Sequence, residues 1–495
     1  MSAVASENTQ PGFDNAENTG FTLESALEAL KDARRLGLPD DTPLDWCKRL
    51  APGCTKNPGA LTALVHYFLQ TGDDANAVYF TRLILRIFPA KGVGYRLFGE
   101  ILKARGEQHD ASICMRYALP QSIVDEHFNV PAERRIDSHE ADSADIQRVS
   151  VFDASRVELQ QPIRVESAVI RQFSDSVYRA REAYTAILPD GRLWFDGFLT
   201  AVWDRRDRLI MDISKGNAEL VDSRRETHTP VRINGRVALI GNRNAKNYYH
   251  WMNDVLPSLE LIRRAGIPLD SIDRFVVNPL TCQFQHETLA HFGIDESRLH
   301  TIRDGEFIAA DELIVPRYGS NSLGASQGRW NPDFLRKEFA PAQPPAQTRK
   351  LYISRGTSGS RSVRNETELQ DVLAQRGFEI VSTDGMSIIE QAALFSQASV
   401  VIGPHGAGFS NIAFCGPGTR ILEMFSSHFQ PCFWSIASAL NFTYAALYCD
   451  DSEYADGVPL ETSLLEKPRE HREAGFRVNP QQLAEALDKL DTHSD

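Results

Sequence analysis

The sequence lacks the features that mark several common classes of protein. Its seven cysteines include no Cys-x-x-Cys pair and no tight metal-type spacing, which predicts reduced thiols in a cytosolic protein. Residues 1–22 contain neither a basic leader nor an apolar core, so we expect a disordered tail there and no signal peptide. No apolar run approaches the roughly 18 residues that a membrane-spanning helix needs. A cytoplasmic protein, docked at most at a membrane surface, is therefore expected.

Basic residues are also fewer than acidic residues. Lys and Arg number 53 against 66 Asp and Glu, which gives a formal net charge of −13 and a pI near 5.5. This balance argues against nucleic acid or an anionic membrane as the main partner, although it leaves room for a local basic cleft. With 495 residues, of which 42% are hydrophobic, the chain is long enough to form two or three domains.

Residues 23–125 are predicted to form an α-helical domain. Apolar and small residues recur there with a period of about 34, the spacing of tetratricopeptide-like repeats. The recurring positions are Leu61, Leu64, Phe68, Gly72, Ala77 and Ile84, followed by Tyr95, Phe98, Gly99, Leu102, Gly106, Ala111 and Ala118. The segment resembles two such repeats, with a further helix pair upstream, and this predicts a scaffold that docks a protein partner. An ordinary helical subdomain is the alternative.

A β-rich stretch and two α/β halves follow the helices. Residues 150–235 alternate in polarity and contain the dipeptide Asp190-Gly191, which predicts a small antiparallel meander with a hairpin at that dipeptide. Alternating strand and helix patterns from Arg236 to Pro316 predict a first α/β half, so the meander and this half are expected to form one domain over residues 150–339. The Pro/Ala/Gln-rich residues 340–348 have the composition of a linker.

The second α/β half is predicted over residues 349–450, and a tail containing a helix is predicted over residues 451–495. Strands and capped helices alternate in this half, which predicts a mostly parallel, doubly wound sheet. The predicted strands are Leu351–Ser354, Phe378–Ser382, Ser399–Ile402 and Arg420–Phe425.

A glycine-rich loop, Gly403-Pro-His-Gly-Ala-Gly-Phe-Ser-Asn411, follows the third of these strands. In a parallel sheet, ligands bind at the carboxyl edge, where this loop and Arg355 are both expected. Glycines let the backbone approach a ligand closely, and the first amides of the short helix predicted after Gly408 can donate to an anion. The loop therefore predicts a phosphate site, to which His405 can add a hydrogen bond.

Charged residues near the loop strengthen that interpretation. Arg355, Arg361 and Arg364 follow the first strand, and their guanidinium groups can neutralise a diphosphate. Glu423 lies on the next strand and is a candidate acceptor for ribose hydroxyls. Together these residues predict a nucleoside-diphosphate site.

The first α/β half carries the motif Asn247-Tyr-Tyr-His-Trp-Met-Asn-Asp254. His250 and Asp254 are four residues apart, so on a helix they share a face, and Asn247 precedes His250 by one turn. A carboxylate beside an imidazole is suited to removing a proton from a hydroxyl group. Pro257 is expected to kink or end the helix soon afterwards.

These motifs resemble the conserved regions of glycosyltransferase family 61, enzymes that transfer a sugar from a nucleotide-sugar donor. The resemblance covers residues 235–425 and rests on three ordered stretches: "NYYHWMNDVLPSL", "LYISRGTSGSRSVRNETEL" and "GMSIIEQAALFSQASVVIGPHGAGFSNIAFCGPGTRILEMF". It implies an α/β fold of the GT-B type, with two Rossmann-like lobes facing a cleft. The donor nucleotide is expected in the C-terminal lobe, and the acceptor is expected beside the His-x-x-x-Asp helix.

The resemblance also implies roles for individual residues. The donor phosphates are expected at Arg355, at His405, Gly406, Ala407 and Gly408, with Arg361 and Arg364 near them and with Asn411 supporting the loop. Glu423 is expected at the ribose, and Asn247 on the acceptor side with His250 and Asp254. The helical repeats lie outside the family pattern.

The expected reaction is an inverting transfer from a nucleoside-diphosphate sugar to a hydroxyl of a glycan or glycoconjugate. Asp254, helped by His250, removes the hydroxyl proton, while Arg355 and the loop amides stabilise the leaving diphosphate. Uridine diphosphate is the family expectation, although these residues do not distinguish it from guanosine diphosphate. No Asp-x-Asp occurs, so no metal held in that manner and no other cofactor is predicted, which leaves a loosely held divalent ion open.

Two alternatives use other features of the sequence. Gly324-Ala-Ser-Gln-Gly328 satisfies the Gly-x-Ser-x-Gly pattern of serine hydrolases, but no apolar strand precedes Ser326. A non-catalytic scaffold that binds nucleotide or glycan and works through its helical repeats is the second alternative.

Overall fold

The structure is a computed structural model that divides into two compact units, Met1–Asn129 and Val130–Asp495. It describes residues 22–128, 130–165, 173, 176–222, 229–302, 305–318, 328–356, 360–426, 428–449 and 474–492. The predicted disordered tail lies outside the described residues except for Thr22, and so does Ser326 of the Gly-x-Ser-x-Gly pattern.

The first unit is helical, and its tetratricopeptide-like repeat character stays a prediction. Thr22 caps the first helix by accepting a hydrogen bond from the Ser25 amide at 3.2 Å. Consecutive helices pair as α1 with α2, α3 with α4 and α5 with α6. A Cβ atom added to Gly94 would lie 2.8 Å from the Leu85 side chain, so α5 approaches α4 closely at a residue that has no side chain. The helices are α1 Leu23–Arg35, α2 Asp41–Leu50, α3 Gly59–Gln70, α4 Asp74–Ile87, α5 Gly92–Ala104, α6 Gln108–Met115 and α7 Gln121–His127.

The second unit contains a mixed ten-stranded sheet and a parallel six-stranded sheet. Its strands are β1 Arg135–Ile136, β2 Gln147–Phe152, β3 Ser155–Glu158, β4 Ile163–Arg164, β5 Val177–Ala180, β6 Ala183–Pro189, β7 Arg192–Phe195, β8 Thr200–Trp203, β9 Leu209–Ile210, β10 Val231–Leu239, β11 Arg274–Val277, β12 Leu299–Thr301, β13 Glu306–Arg317, β14 Arg349–Ile353, β15 Phe378–Val381, β16 Ala398–Pro404, β17 Arg420–Phe425 and β18 Thr443–Tyr448.

Helices cover both sheets. They are α8 Glu219–Asp222, α9 Tyr248–His250, a π-helical segment Trp251–Val255, α10 Leu256–Arg264, α11 Gln283–His291, α12 Trp330–Phe339, α13 Glu366–Gln375, α14 Ile388–Ser396, α15 Cys432–Ala439 and α16 Pro480–Thr492, and 3-10 helices include Ala407–Phe414. The helix predicted in the C-terminal tail is therefore confirmed as α16. Among the described residues, no helix combines the length and the apolar character needed to cross a membrane.

The first sheet has a parallel core in the order β13-β10-β11-β12, and its remaining strands extend it beyond β13. The predicted hairpin at Asp190-Gly191 is wrong. β6 and β7 both pair antiparallel with the same edge of the long strand β13. The two pairings share one unbroken register, from Arg317↔Tyr184 to Glu306↔Phe195. Asp190 adopts a φ of 49° without reversing the chain, because the Asp190 amide still bonds to the Asp311 carbonyl at 2.9 Å. The reversal comes after β7, where the Asp196 carboxylate accepts from the amides of Phe198 and Leu199.

The predicted antiparallel meander over residues 150–235 is present only in part, because β7, β8 and β9 pair in sequence order but do so within the ten-stranded sheet. β6 to β9 belong to the ten-stranded sheet, β3 pairs with β5, and β4 joins the six-stranded sheet beside β18. The alternating pattern identified strands, but it could not identify their pairing with β13 and β18, because those two strands are distant in sequence.

The second sheet confirms the predicted parallel arrangement. Its order is β15-β14-β16-β17-β18-β4, and each pair is parallel. One buried apolar cluster combines Phe275 and Val277 of the first sheet with Leu351 and Val401 of the second. Parallel strands of both sheets therefore contribute to a shared core. The loops that carry the predicted site residues follow the carboxyl ends of these strands.

Candidate active site

The His250–Asp254 pair predicted from the sequence is formed. His250 Nδ1 lies 2.6 Å from Asp254 Oδ2, and the two side chains are 33% and 11% exposed. Asn247 caps this helix, since its Oδ1 accepts from the amides of Tyr249 and His250. The structure therefore gives Asn247 a defined role at the helix start, and its predicted contact with an acceptor stays a prediction.

A π turn sets the position of Asp254. The Leu256 amide bonds to the carbonyl of Trp251, five residues earlier, within the segment Trp251–Val255. Pro257 follows directly, and a proline inside a helix lacks the amide that would bond to the fourth residue before it. The wider π turn before Pro257 accommodates the missing amide, and the helix continues to Arg264.

The carbonyl of Asp254 is held from the neighbouring strands. It accepts from Asn242 Nδ2 at 3.0 Å and from the Tyr318 hydroxyl. Asn242 follows β10, and Tyr318 follows β13, so both come from the carboxyl edge of the first sheet. The His250–Asp254 pair is thereby fixed at the edge where parallel sheets bind ligands.

Arg355 stands at the corresponding edge of the second sheet, two residues after β14. A Cβ atom added to Gly406 would lie 1.7 Å from Arg355 Nη1, so only glycine lets the guanidinium lie against the loop. Nη1 donates to the His405 carbonyl at 3.4 Å, while the buried Nε has no hydrogen-bond partner among the described residues. Burial lowers the pKa of Arg355, and nearby Asp384 acts in the opposite direction.

The glycine-rich loop leads into a short helix, as predicted, and this helix is of the 3-10 type over Ala407–Phe414. Asn411 is fully buried and supports it. Its Oδ1 accepts from the Tyr248 hydroxyl at 2.6 Å, and its Nδ2 donates to Gln391 Oε1 at 2.8 Å. The bond to Tyr248 ties the loop directly to the helix that carries His250.

His405 and Glu423 form a buried pair behind the loop. His405 is 5% exposed and Glu423 is not exposed, and His405 Nδ1 contacts Glu423 Oε1. The Tyr444 hydroxyl donates to the other carboxylate oxygen. Burial raises the pKa of Glu423 to about 8 and holds the pKa of His405 well below its usual value. Because both oxygens are bonded inside the core, this geometry does not support the expected contact between Glu423 and a ribose.

A cleft of about 370 Å³ lies between the two α/β halves. Tyr248, Gln283 and Phe284 line it from the first half. The second half contributes Arg355, Asp384, Gly406, Ala407 and Gly408, among others. Of the predicted donor residues, four therefore face the cleft.

The other predicted donor residues lie outside the cleft wall. His405, Asn411 and Glu423 are buried behind the loop. Arg361 lies with His405 and Phe425 around a smaller space, and Arg364 is exposed. The structure thus does not place Arg361 or Arg364 beside Arg355 on the cleft.

Phe433 connects the two groups of predicted residues. Its ring centroid lies 5.6 Å from that of Tyr249, next to His250, and 5.2 Å from that of His405. Sequence reasoning missed Phe433, because nothing marks an aromatic residue in the apolar helix α15 as part of a site. Tyr248 was also missed, although its position beside the His-x-x-x-Asp motif was a usable signal.

Residues 248–422 match the family model of Glycosyltransferase 61. This part of the chain is therefore similar to a glycosyltransferase family 61 domain. The matched part begins at Tyr248 and contains His250, Asp254, Arg355 and the loop through Asn411. A β-1,2-xylosyltransferase from Arabidopsis thaliana is 40% identical to this chain over 179 residues, which represent 32% of each protein. The match spans about a third of the length of that relative.

The matched part shows no metal centre within the described residues, where no three His, Cys, Asp or Glu side chains come together. Its groups are instead suited to binding an anion and moving a proton. Arg355 and the loop amides offer donors on one side of the cleft, and the His250–Asp254 pair lies near the other.

Proposed function

We propose that this chain is an inverting glycosyltransferase that moves a sugar from a nucleoside-diphosphate donor to a hydroxyl of a glycan or glycoconjugate. We further propose that its two α/β halves, residues 150–339 and 349–450, act as the acceptor and donor lobes of a GT-B type enzyme, joined by the linker 340–348. The family 61 match supports a transferase, and the cleft is the observation that carries the proposal. Its walls bring Tyr248, two residues from His250, opposite Arg355.

On the donor side, Arg355 and the amides of Ala407 and Gly408 bind the diphosphate. The first amides of a helix have no partner within that helix, so they are available to phosphate oxygens. Arg355 Nε is buried and has no partner among the described residues, and a phosphate oxygen can satisfy it. Charge that develops on the leaving diphosphate is stabilised by these donors.

On the acceptor side, the geometry favours His250 as the base and Asp254 as the group that positions it. Asp254 Oδ2 contacts Nδ1, and His250 is the more exposed of the two side chains. His250 Nε2 takes the proton of the acceptor hydroxyl, while that oxygen bonds to the anomeric carbon of the sugar. The bond between this carbon and the diphosphate breaks, and its electron pair leaves with the diphosphate.

Glu423 and Tyr444 position the loop through His405. With Glu423 protonated and His405 neutral, as their pKa directions indicate, the carboxyl group donates to His405 Nδ1. The His405 amide also bonds to the Met424 carbonyl at 2.7 Å. These bonds hold the backbone that presents the donor amides, so we propose that His405 supports the phosphate site from behind.

The test is a calorimetric titration of the full chain with UDP, GDP, UDP-xylose and UDP-N-acetylglucosamine. UDP-xylose belongs in this panel because the Arabidopsis relative is a xylosyltransferase by name. We expect one diphosphate to bind, and Arg355→Ala to weaken its binding by about tenfold or more. Lys337→Ala, at an exposed position of α12, is the matched control. Failure of every diphosphate to bind would refute the donor site.

Product stereochemistry provides the second part of the test. With the donor identified, an NMR spectrum of the glycosidic product shows whether the anomeric configuration is inverted. Retention would contradict the single-displacement mechanism while leaving the donor site intact. Docking of a protein partner by the helical unit stays a prediction.

A further inference from the structure

Two basic side chains lie beside the proposed catalytic pair at the carboxyl edge of the first sheet. Arg317 is the last residue of β13, directly before Tyr318. Lys215 lies in the segment between β9 and α8, and its backbone is held by paired hydrogen bonds to Thr200 at 2.8 and 3.0 Å. Both side chains are half-buried, and both come from segments with defined backbone positions.

Neither cation forms an ion pair with any of the described residues. Arg317 Nη1 donates only to the Tyr318 carbonyl, at 3.4 Å. The nearby Asp212 carboxylate is already engaged by the Ser138 amide at 2.7 Å, the Ser138 hydroxyl at 2.6 Å and the Tyr184 hydroxyl. Burial, followed by the charge of Arg317, lowers the pKa of Lys215 to about 8.

Two neighbouring cations that are partly removed from water are unfavourable by themselves. Each loses hydration, and their like charges repel, unless an anion compensates for them. Most other arginines in this unit meet a carboxylate, as Arg205 and Arg208 do with Asp145. The charges of Asp212 and Asp254 act on Arg317 and Lys215, but neither carboxylate forms an ion pair with these cations, so both cations can still bind an anionic ligand directly.

The position of the pair relates it to the acceptor side. Lys215 Nζ lies 5.8 Å from the centroid of the Tyr318 ring, and the Tyr318 hydroxyl donates to the Asp254 carbonyl. Asp254 is close enough to Lys215 for its charge to oppose the fall in the lysine pKa. The donor phosphates are expected elsewhere, at Arg355 on the edge of the second sheet.

We propose that Lys215 and Arg317 bind an oxyanion on the acceptor, so that this enzyme glycosylates an acidic glycan. The oxyanion is a sugar carboxylate or a sugar phosphate, because both present the oxygens that ammonium and guanidinium groups bind. This inference rests on the proposed function, since it specifies the acceptor of the same site. Bound there, the anion would hold the acceptor next to His250.

The test is a titration of the full chain with glucuronate, glucose 6-phosphate, glucose, acetate and inorganic phosphate at low ionic strength. We expect a charged sugar to bind, glucose to bind far more weakly, and salt to weaken the charged probe. Comparison of glucuronate with glucose 6-phosphate identifies the oxyanion. Equal binding of glucose and the charged sugars, or binding of acetate and phosphate as tight as that of the sugars, would overturn the proposal.

Substitutions distinguish a loss of sugar binding from a loss of protein stability. Lys215→Met and Arg317→Met should each weaken binding of the charged sugar by about tenfold or more, whereas Lys215→Arg should retain most of it. Lys337→Met is the control at an exposed lysine. Thermal unfolding should show little loss of stability in Lys215→Met, because no ion pair is removed. Unchanged sugar binding in both methionine variants would also overturn the proposal.

A parallel UDP titration distinguishes this inference from the proposed function. UDP binding without charged-sugar binding would refute only the acidic acceptor. Charged-sugar binding that depends on Lys215, without binding of any nucleoside diphosphate, would refute the donor site and leave the oxyanion site standing.

Discussion

The carboxyl edges of the two sheets are built in different ways. At the second sheet, Arg355 lies against Gly406, and Asn411, His405 and Glu423 are bonded to one another or to neighbours inside the core. At the first sheet, His250 and Asp254 are held by a π turn, while Lys215 and Arg317 form no ion pair with a described residue, although the charges of Asp254 and Asp212 act on them. The donor edge satisfies His405, Asn411 and Glu423 internally and leaves the Arg355 guanidinium for a ligand, whereas the acceptor edge leaves Lys215 and Arg317.

This difference suggests that one sheet edge binds the donor and the other recognises the acceptor. A diphosphate is common to many sugar donors, so a rigid site with its donors already oriented suits it, because little reorganisation is then needed. An acceptor varies from enzyme to enzyme, and the groups that recognise it come from separate segments around β13. The comparison predicts that changes at one edge leave binding at the other edge intact.

The largest expected effect is catalytic. His250→Ala should lower kcat by more than about a hundredfold, because the base for the acceptor hydroxyl is lost. Asp254→Asn should also lower kcat strongly, since the amide cannot support a protonated imidazole at 2.6 Å as a carboxylate does. Steady-state rates at saturating donor measure both effects, with Lys337→Ala as the control.

The diphosphate affinity of these variants shows whether the acceptor edge and the donor edge bind their ligands independently. Calorimetry of the same two variants should give a Kd for the diphosphate close to that of the unaltered chain. If His250→Ala abolishes nucleotide binding as well, the edges act as one site. Near-normal turnover in His250→Ala would rule out its role as the base.

The next effect concerns the donor edge alone. Gly406→Ala places a methyl group where Arg355 Nη1 lies, 1.7 Å away, so the guanidinium must move. We expect about a tenfold or greater loss of diphosphate affinity and a fall of about 1–3 kcal/mol in the free energy of unfolding. Gly53→Ala is the control, because nothing lies within 4 Å of a Cβ atom there. Unchanged diphosphate affinity in Gly406→Ala would show that Arg355 is not oriented by this contact.

The donor edge was largely predictable because its groups lie in contiguous motifs. A strand, a glycine-rich turn and a short helix follow each other directly, and Arg355 comes just after a predicted strand. What the sequence could not show is the direction in which Glu423 points. Its partner Tyr444 lies on β18, and strands buried on both faces give no alternation from which to assign a face.

The acceptor edge was predictable only in part. The spacing of His250 and Asp254 predicted their contact, because residues four apart meet on a helix. Lys215 reaches the same region through backbone pairing with Thr200, and Tyr318 reaches it along β13, so neither belongs to a local pattern. The wrong hairpin at Asp190-Gly191 has the same origin, since the 12-residue length of β13 lets it pair with both β6 and β7.

The smallest expected effect is a pH dependence of stability that arises behind the donor loop. The folded pKa of Glu423, about 8, lies above the ordinary value of 4.5, so the unfolded chain loses this proton first as pH rises. Glu423 therefore stabilises the folded state at low pH, and this contribution is lost as pH rises towards 8. His405 has a lowered folded pKa, so its opposing contribution is lost as pH falls through 6.5.

As pH rises above 6.5 the Glu423 contribution dominates, because His405 becomes largely neutral in the unfolded chain as well as in the folded protein. The free energy of unfolding should fall there by at most about 1.4 kcal/mol per pH unit, and Glu423→Gln, which can still donate to His405 Nδ1, should lack this slope. Chemical denaturation at several pH values measures it, with Glu379→Gln on the exposed face of β15 as the control. An identical slope in Glu423→Gln would mean that Glu423 is ionised in the folded protein. The donor edge would then hold an ionised carboxylate behind its loop, and the contrast between an internally bonded, neutral pair at that edge and the open cations at the other edge would fail.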